Sequence, residues 1–269
     1  MSAAPRPGLP PVETAPVPLL TDVPRRGLFV VGTDTDVGKT AVAVAVLRQL
    51  VAASRRPAAY KPVASGIAAV GESGGDPERL WEATGRVGAI RDVCPQCFPA
   101  ALSPPRAART AGRSVDESLL RTGLLAWRDH EIVVVEGAGG LFSPLAATTL
   151  GADLARAFGY PLVVVDAARL GAIGRTLATV LAARAAGLTV AACVLSQAFP
   201  PRGNPDDPTG DGAIAAANVA DLRQFLADVP ITLLSHGAIG FAPPLDWWAF
   251  ADGFTHPGAG PPPPRPATG

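Results

Sequence analysis

One stretch constrains this chain more than any other: Val30-Val31-Gly32-Thr33-Asp34-Thr35-Asp36-Val37-Gly38-Lys39-Thr40. Leu28 to Val31 ahead of it is a short apolar run, the mark of a buried strand. Ala41 to Ala53 behind it is mostly alanine, valine and leucine and reads as a helix packed on a sheet. Strand, glycine-containing loop, Gly-Lys-Thr and helix together form the arrangement that cradles nucleotide phosphates. Backbone N–H groups and the helix N-terminus receive phosphate oxygens. Lys39 is expected to reach the β- and γ-phosphates, and the Thr40 hydroxyl to hold Mg²⁺. The strict pattern has a glycine where Thr33 stands; here Gly32 sits one residue early.

The remainder of the chain repeats this alternation. Strands are expected at 58–63, 131–135, 162–165, 190–195 and 231–234. Helices are expected at 76–85, 114–127, 150–158, 174–186 and 213–227. Asp76 is read as an N-cap with Pro77 at the first helical position. Ser114 and Glu117 are read as a capping box. Residues 67–75 are glycine-rich, and 89–113 read as irregular. The strands are continuous apolar runs separated by helices, which indicates an α/β fold: a single P-loop domain with a doubly wound, mostly parallel sheet and helices on both faces. The domain is placed at 27–254, between proline-rich tails at 1–26 and 255–269 expected to be disordered. Ligands of such sheets bind beyond the carboxyl ends of the strands. The P-loop, Lys61, Glu136 and the turn after Val165 all fall there.

Composition narrows the function. The chain has 269 residues, 48% of them hydrophobic and 17% charged, enough for a substantial core. Its formal net charge of +0 gives no electrostatic case for nucleic acid or an anionic membrane. No apolar run approaches about 20 residues, so no membrane span is expected. The N-terminus lacks the apolar segment of a signal peptide, and a cytoplasmic location is expected. Cys94, Cys97 and Cys193 are too few for a zinc or disulfide framework and are read as reduced. Of 23 basic residues only two, Lys39 and Lys61, are lysine. Where arginine serves as the general cation, these two mark positions that need a compact ammonium. Glu136 ends a buried strand ahead of Gly137-Ala138-Gly139-Gly140, where backbone can approach a ligand closely, and a carboxylate there suits Mg²⁺.

These residues together resemble the dethiobiotin synthetase family. The resemblance is carried by the P-loop, by Tyr60-Lys61-Pro62-Val63-Ala64-Ser65-Gly66, and by Val135 to Gly140 with Phe142 and Pro144-Leu145. Ser103-Pro104, Leu170-Gly171 and 185–189 match more weakly, so the likeness spans roughly residues 28 to 235. It implies an enzyme that joins 7,8-diaminopelargonate and CO₂ in an ATP- and Mg²⁺-dependent ring closure, working as a homodimer without nucleic acid or membrane partners. It further implies ATP contacts from Gly32, Thr33, Asp36, Val37, Gly38, Lys39, Thr40, Glu136, Gly137, Gly139 and Ser196. Substrate contacts fall to Lys61, Ser65, Gly171 and Arg175, metal contacts to Thr40, Asp76 and Glu136, and catalysis to Lys39 and Lys61.

The chain departs from the family pattern in places. Asp36 stands where Glu is usual. Gly174-Arg175 replaces Asn-His after the Leu-Gly motif, and Arg175 is the substitute partner for a substrate carboxylate. Ser196-Gln197 stands where an Asn reads the base, and residues 67–75 have no counterpart in the family pattern. Two alternatives stand beside this reading. One is an amide-forming synthetase related to cobyrinate amidotransferases, against which counts the lack of a glutaminase-like segment. The other is a partitioning-type ATPase switch, against which counts the lack of a lysine early in the loop.

Overall fold

The computed structural model describes residues 20, 22–69, 71, 74–200 and 210–252. The elements follow in the order β1 (Arg26–Gly32), α1 (Lys39–Ala52), β2 (Pro57–Tyr60), β3 (Ala64–Ser65), α2 (Asp76–Ala83), α3 (Ile90–Val93), β4 (Cys97–Phe98), α4 (Pro104–Thr110) and α5 (Glu117–Thr122). After a 3₁₀ turn at Gly123–Trp127 come β5 (Ile132–Gly140), α6 (Gly151–Phe158), β6 (Leu162–Ala167), α7 (Ala172–Ala185), β7 (Val190–Ser196), α8 (Asp211–Phe225), β8 (Ile231–Leu234) and α9 (Trp247–Phe250).

Six strands form one sheet in the order β2-β5-β1-β6-β7-β8, and every pairing is parallel. The α/β doubly wound expectation therefore stands. Because no central strand reaches water, β1, β5, β6 and β7 carry Leu28 to Val31, Ile132 to Val135, Leu162 to Val165 and Ala192 to Leu195 fully or almost fully buried. The chain leaves β1 toward β2 on one side and stacks β6, β7 and β8 on the other. β1 thus marks the switch point at which such sheets open a crevice, and the P-loop follows it directly.

Parallel register sets the chemistry. Tyr60 pairs with Val135, so Lys61 and Glu136 both emerge one residue beyond that pair. Gly32 pairs with Val165, so Thr33 and Asp166 emerge together in the same way.

Several local expectations change. The Ser114–Glu117 capping box does not form: Asp116 caps α5, its carboxylate accepting from the Leu119 N–H at 2.9 Å. The Gln96 side chain holds the Asp116 backbone from both sides, accepting from its N–H (2.8 Å) and donating to its carbonyl (3.0 Å), which keeps that residue extended and delays the helix. Glu117 reaches instead across to Thr148 and Thr149, accepting from their hydroxyls at 2.7 and 2.6 Å. Asp76 is the first residue of α2, with Gly75 at the cap position. The span 89–113 is not irregular throughout: it holds α3, α4 and β4, the last pairing with β3 as a separate two-stranded sheet.

Ordered contacts are also present ahead of residue 27. Arg26 opens β1, Leu20 N–H donates to the Ala157 carbonyl at 2.9 Å, and the Tyr160 hydroxyl donates to Pro24 O at 2.7 Å. The rest of both expected tails, 1–19, 21 and 255–269, lies outside the described residues, as do residues 253–254. Among the described residues no helix is long and apolar enough to cross a membrane.

Candidate active site

The loop between β1 and α1 is shaped by backbone that only small or special residues tolerate. Gly38 caps α1 in the left-handed region (φ 95°), and Asp36 sits there too (φ 56°). A Cβ at Gly38 would collide with the Ser196 hydroxyl, and one at Gly32 would come within 2.5 Å of the Asp34 carbonyl. The loop therefore needs both glycines, including the early one.

Lys39 and Thr40 open α1 and are buried. The Lys39 ammonium donates to the Asp34 carbonyl at 2.9 Å, curling the loop around itself. Burial holds that ammonium below the ordinary lysine range; Glu136 opposes the shift and Lys61 adds to it. Thr40 Oγ1 donates to Glu136 Oε1 at 2.9 Å.

Lys61 faces the same point from the end of β2. Its ammonium donates to Glu136 Oε1 at 2.5 Å and to Asp76 Oδ2 at 3.0 Å. Burial by itself would push Lys61 down, but the two carboxylates outweigh it and hold its pKa above the ordinary lysine range. Burial pushes Asp76 up, yet Lys61 overrides this and holds the carboxyl below the usual carboxylate range. Glu136 Oε2 is buried with no hydrogen-bond partner. A buried carboxylate oxygen without a donor is costly unless a ligand or ion supplies one.

A cleft of about 350 Å³ gathers these groups: Asp36, Gly38, Lys39, Thr40, Ser65, Asp76, Glu136 and Gly139 all line it. Ser196 ends β7 behind Gly38, its hydroxyl buried and unpartnered, and lines the adjoining cleft of about 230 Å³ with Gln197, Ser235 and His236. Gly137 is closed in by the Phe29 ring, Val37 is fully buried, and Thr33 is turned toward Asp166.

Gly171 and Arg175 do not join this cluster. Gly171 caps α7 at φ 86°. Arg175 Nε donates to both Asp166 oxygens at 3.1 Å. Asp166 also accepts from Thr33 Oγ1 (2.7 Å) and from its neighbour's Ala167 N–H (2.8 Å). The arginine expected to meet a substrate carboxylate thus donates its Nε to a protein carboxylate, while its Nη2 is buried without a partner. Asp166, which ties Thr33 of the loop to Arg175, is the contact that sequence reasoning missed. An acid directly after the run Leu162 to Val165, in the same strand-end position as Glu136, was the available signal.

A family model described as an AAA domain matches residues 26–247. The ATP-dependent dethiobiotin synthetase BioD of Anaeromyxobacter dehalogenans (strain 2CP-C) is 45% identical over 213 residues, covering 78% of this chain and 89% of the relative. The chain belongs to the dethiobiotin synthetase family. A second dethiobiotin synthetase, from Rhodopirellula baltica, is 40% identical over 63% of this chain and 72% of its own length. Among solved structures, chloroplast FtsY from Physcomitrella patens is similar at 17% identity and a TM-score of 0.48, over 88% of this chain and 66% of that one. As a dethiobiotin synthetase family member the chain is an enzyme, a cyclo-ligase.

The donor set fits a hard divalent ion. Mg²⁺ is ordinarily bound by one or two carboxylates together with substrate phosphates. Thr40, Asp76 and Glu136 offer two carboxylates and a hydroxyl beside the P-loop, and Glu136 has an oxygen to spare.

Proposed function

We propose that this chain converts 7,8-diaminopelargonate, CO₂ and ATP to dethiobiotin, ADP and phosphate. One amine adds to CO₂, forming an N–C bond and losing a proton, to give a carbamate. A carbamate oxygen attacks the γ-phosphorus and ADP leaves, giving a carbamic–phosphoric anhydride. The second amine attacks the carbamate carbon, closes the ureido ring and expels phosphate.

The meeting of Lys61 with Asp76 and Glu136 beside the Lys39-lined cleft supports this reading most directly. A carbamate and a triphosphate are both anionic, so their approach needs cations already in place. The P-loop amides and Lys39 receive the β- and γ-phosphates. The Lys61 ammonium lies between γ-phosphate and carbamate, and Ser65 donates to the carbamate. Thr40, Asp76 and Glu136 would hold Mg²⁺, which supplies further charge neutralisation at the transferring phosphate. The base lies on the Ser196 side. Gly171 opens α7, whose N-terminal amides suit the substrate's remote carboxylate, with Arg175 fixing that turn through Asp166. A second copy of the chain completes this end of the site, and sedimentation as a monomer at working concentration would remove that element.

The test is phosphate release by purified protein given ATP, Mg²⁺ and bicarbonate, with and without diaminopelargonate. Release should require the diamine and fall at least about 100-fold in Lys61→Ala, the scale of losing a transition-state cation. Release that ignores the diamine, or responds to DNA or lipid instead, would favour a switch ATPase.

A further inference from the structure

The Lys61 ammonium occupies the point at which the proposed metal donors converge. It touches Asp76 Oδ2 and Glu136 Oε1, and the same Glu136 oxygen takes the Thr40 hydroxyl. A fully buried Glu136 carboxylate facing the half-exposed Asp76 carboxylate is unfavourable unless a cation lies between them. Lys39 cannot serve, because its ammonium is tied to the Asp34 carbonyl on the loop. Nor can the ammonium stay where it is once a divalent ion has bound. Both need the same two carboxylates, and like charges at contact distance in a buried place exclude one another.

We infer that Lys61 is the resident cation of the Asp76–Glu136 pair, that a divalent ion displaces it, and that this displacement delivers the ammonium to the reacting phosphate. The last step rests on the proposed function; the exchange of cations does not. The side chain suits the task. A single compact charge on a flexible four-carbon stem can swing between anionic partners, whereas a planar guanidinium fork is fixed by bidentate pairing. The device keeps the cleft neutralised while empty. It also makes free metal a poor ligand, so that metal enters best with the nucleotide whose phosphates take over the ammonium.

Because Lys39 and Lys61 are the chain's only lysines, ¹⁵N-lysine labelling gives two side-chain signals. Protein holding a non-hydrolysable ATP analogue is compared in EDTA and in saturating Mg²⁺. The Lys61 signal should move with metal occupancy; a Lys61 signal that stays in place while Mg²⁺ binds would overturn the inference. In parallel, Mn²⁺ binding to nucleotide-free protein is followed by electron paramagnetic resonance. Lys61→Met should bind Mn²⁺ about tenfold or more tightly than wild type, within the usual range of site coupling. Equal or weaker binding would overturn it. If Lys61→Met does not fold, the wild-type spectra decide alone. Neither measurement contains bicarbonate or diamine, so failure here is separable from failure of the carboxylation reading.

Discussion

Removing the Lys61 ammonium should cost stability, and the size of the loss follows from who is left behind. In Lys61→Met the stem and its packing are largely kept, so volume is not the issue. Asp76 is 45% exposed at its side chain and can turn to water, but Glu136 is 0% exposed and cannot. One carboxylate is therefore stranded, keeping only the Thr40 hydroxyl. Breaking a buried pair in this way costs about 3–5 kcal/mol. At about 2–4 °C per kcal/mol for a domain of this size, Tm should fall by roughly 6–20 °C. The charge-matched double variant Lys61→Met/Glu136→Gln removes the stranded charge and should recover most of the loss. The assay is urea unfolding followed by circular dichroism, in EDTA and without nucleotide, with the slope checked so that midpoints compare like with like. A single variant within about 1 kcal/mol of wild type, the effect of an ordinary substitution, would refute the reasoning. So would a double variant no more stable than the single one.

Other expectations are independent of that pair. Gly38→Ala places a side chain at φ 95° against the Ser196 hydroxyl, and calorimetry should show nucleotide binding lost; Ser196→Ala in the same chain should not restore it, because the backbone strain remains. Asp166→Ala releases Thr33 and Arg175 together, and loss of a charge-assisted hydrogen bond worth about 1.5–3 kcal/mol should weaken nucleotide binding roughly tenfold or more while the sheet stays intact by circular dichroism. Glu117→Gln weakens the anchor on Thr148 and Thr149, so amide exchange at 148–150 should quicken with global stability little changed.

Stability against pH should follow the cited shifts. Asp76, held below the usual carboxylate range, contributes stability that is present above about pH 4 and lost as pH falls through its lowered value. Lys61, held above the ordinary lysine range, contributes stability that is complete below about pH 10 and lost as pH rises through its raised value. NMR titration should find the Asp76 midpoint higher in Lys61→Met, since the cation that lowers it is gone; an unmoved midpoint would deny that cause.

Much of the architecture was legible because it depends on local pattern. Four buried strands announce themselves as runs of Val, Leu and Ile, and the loop after β1 carries its glycines and its lysine within eleven consecutive residues. Lys61 and Glu136 stood out by scarcity and by position at strand ends. Less was legible where a partner far along the chain decides. Asp116 rather than Ser114 caps α5 because Gln96, 20 residues earlier, holds its backbone. β4 exists only because β3 runs beside it, and two residues carry no periodicity of their own.

The order of residues alone thus determined a parallel sheet with a phosphate-cradling loop at the end of its central strand, since apolar runs and loop glycines act within a few residues of themselves. The tertiary structure decided which charges meet. Register across the sheet brings Glu136 to Lys61 over 75 positions and Asp166 to Thr33 over 133, and such distances leave no trace in any local pattern. That is why Arg175, read from the sequence as a partner for a substrate carboxylate, is clamped by Asp166 in the fold: its partner is set by how β1, β6 and α7 pack against one another.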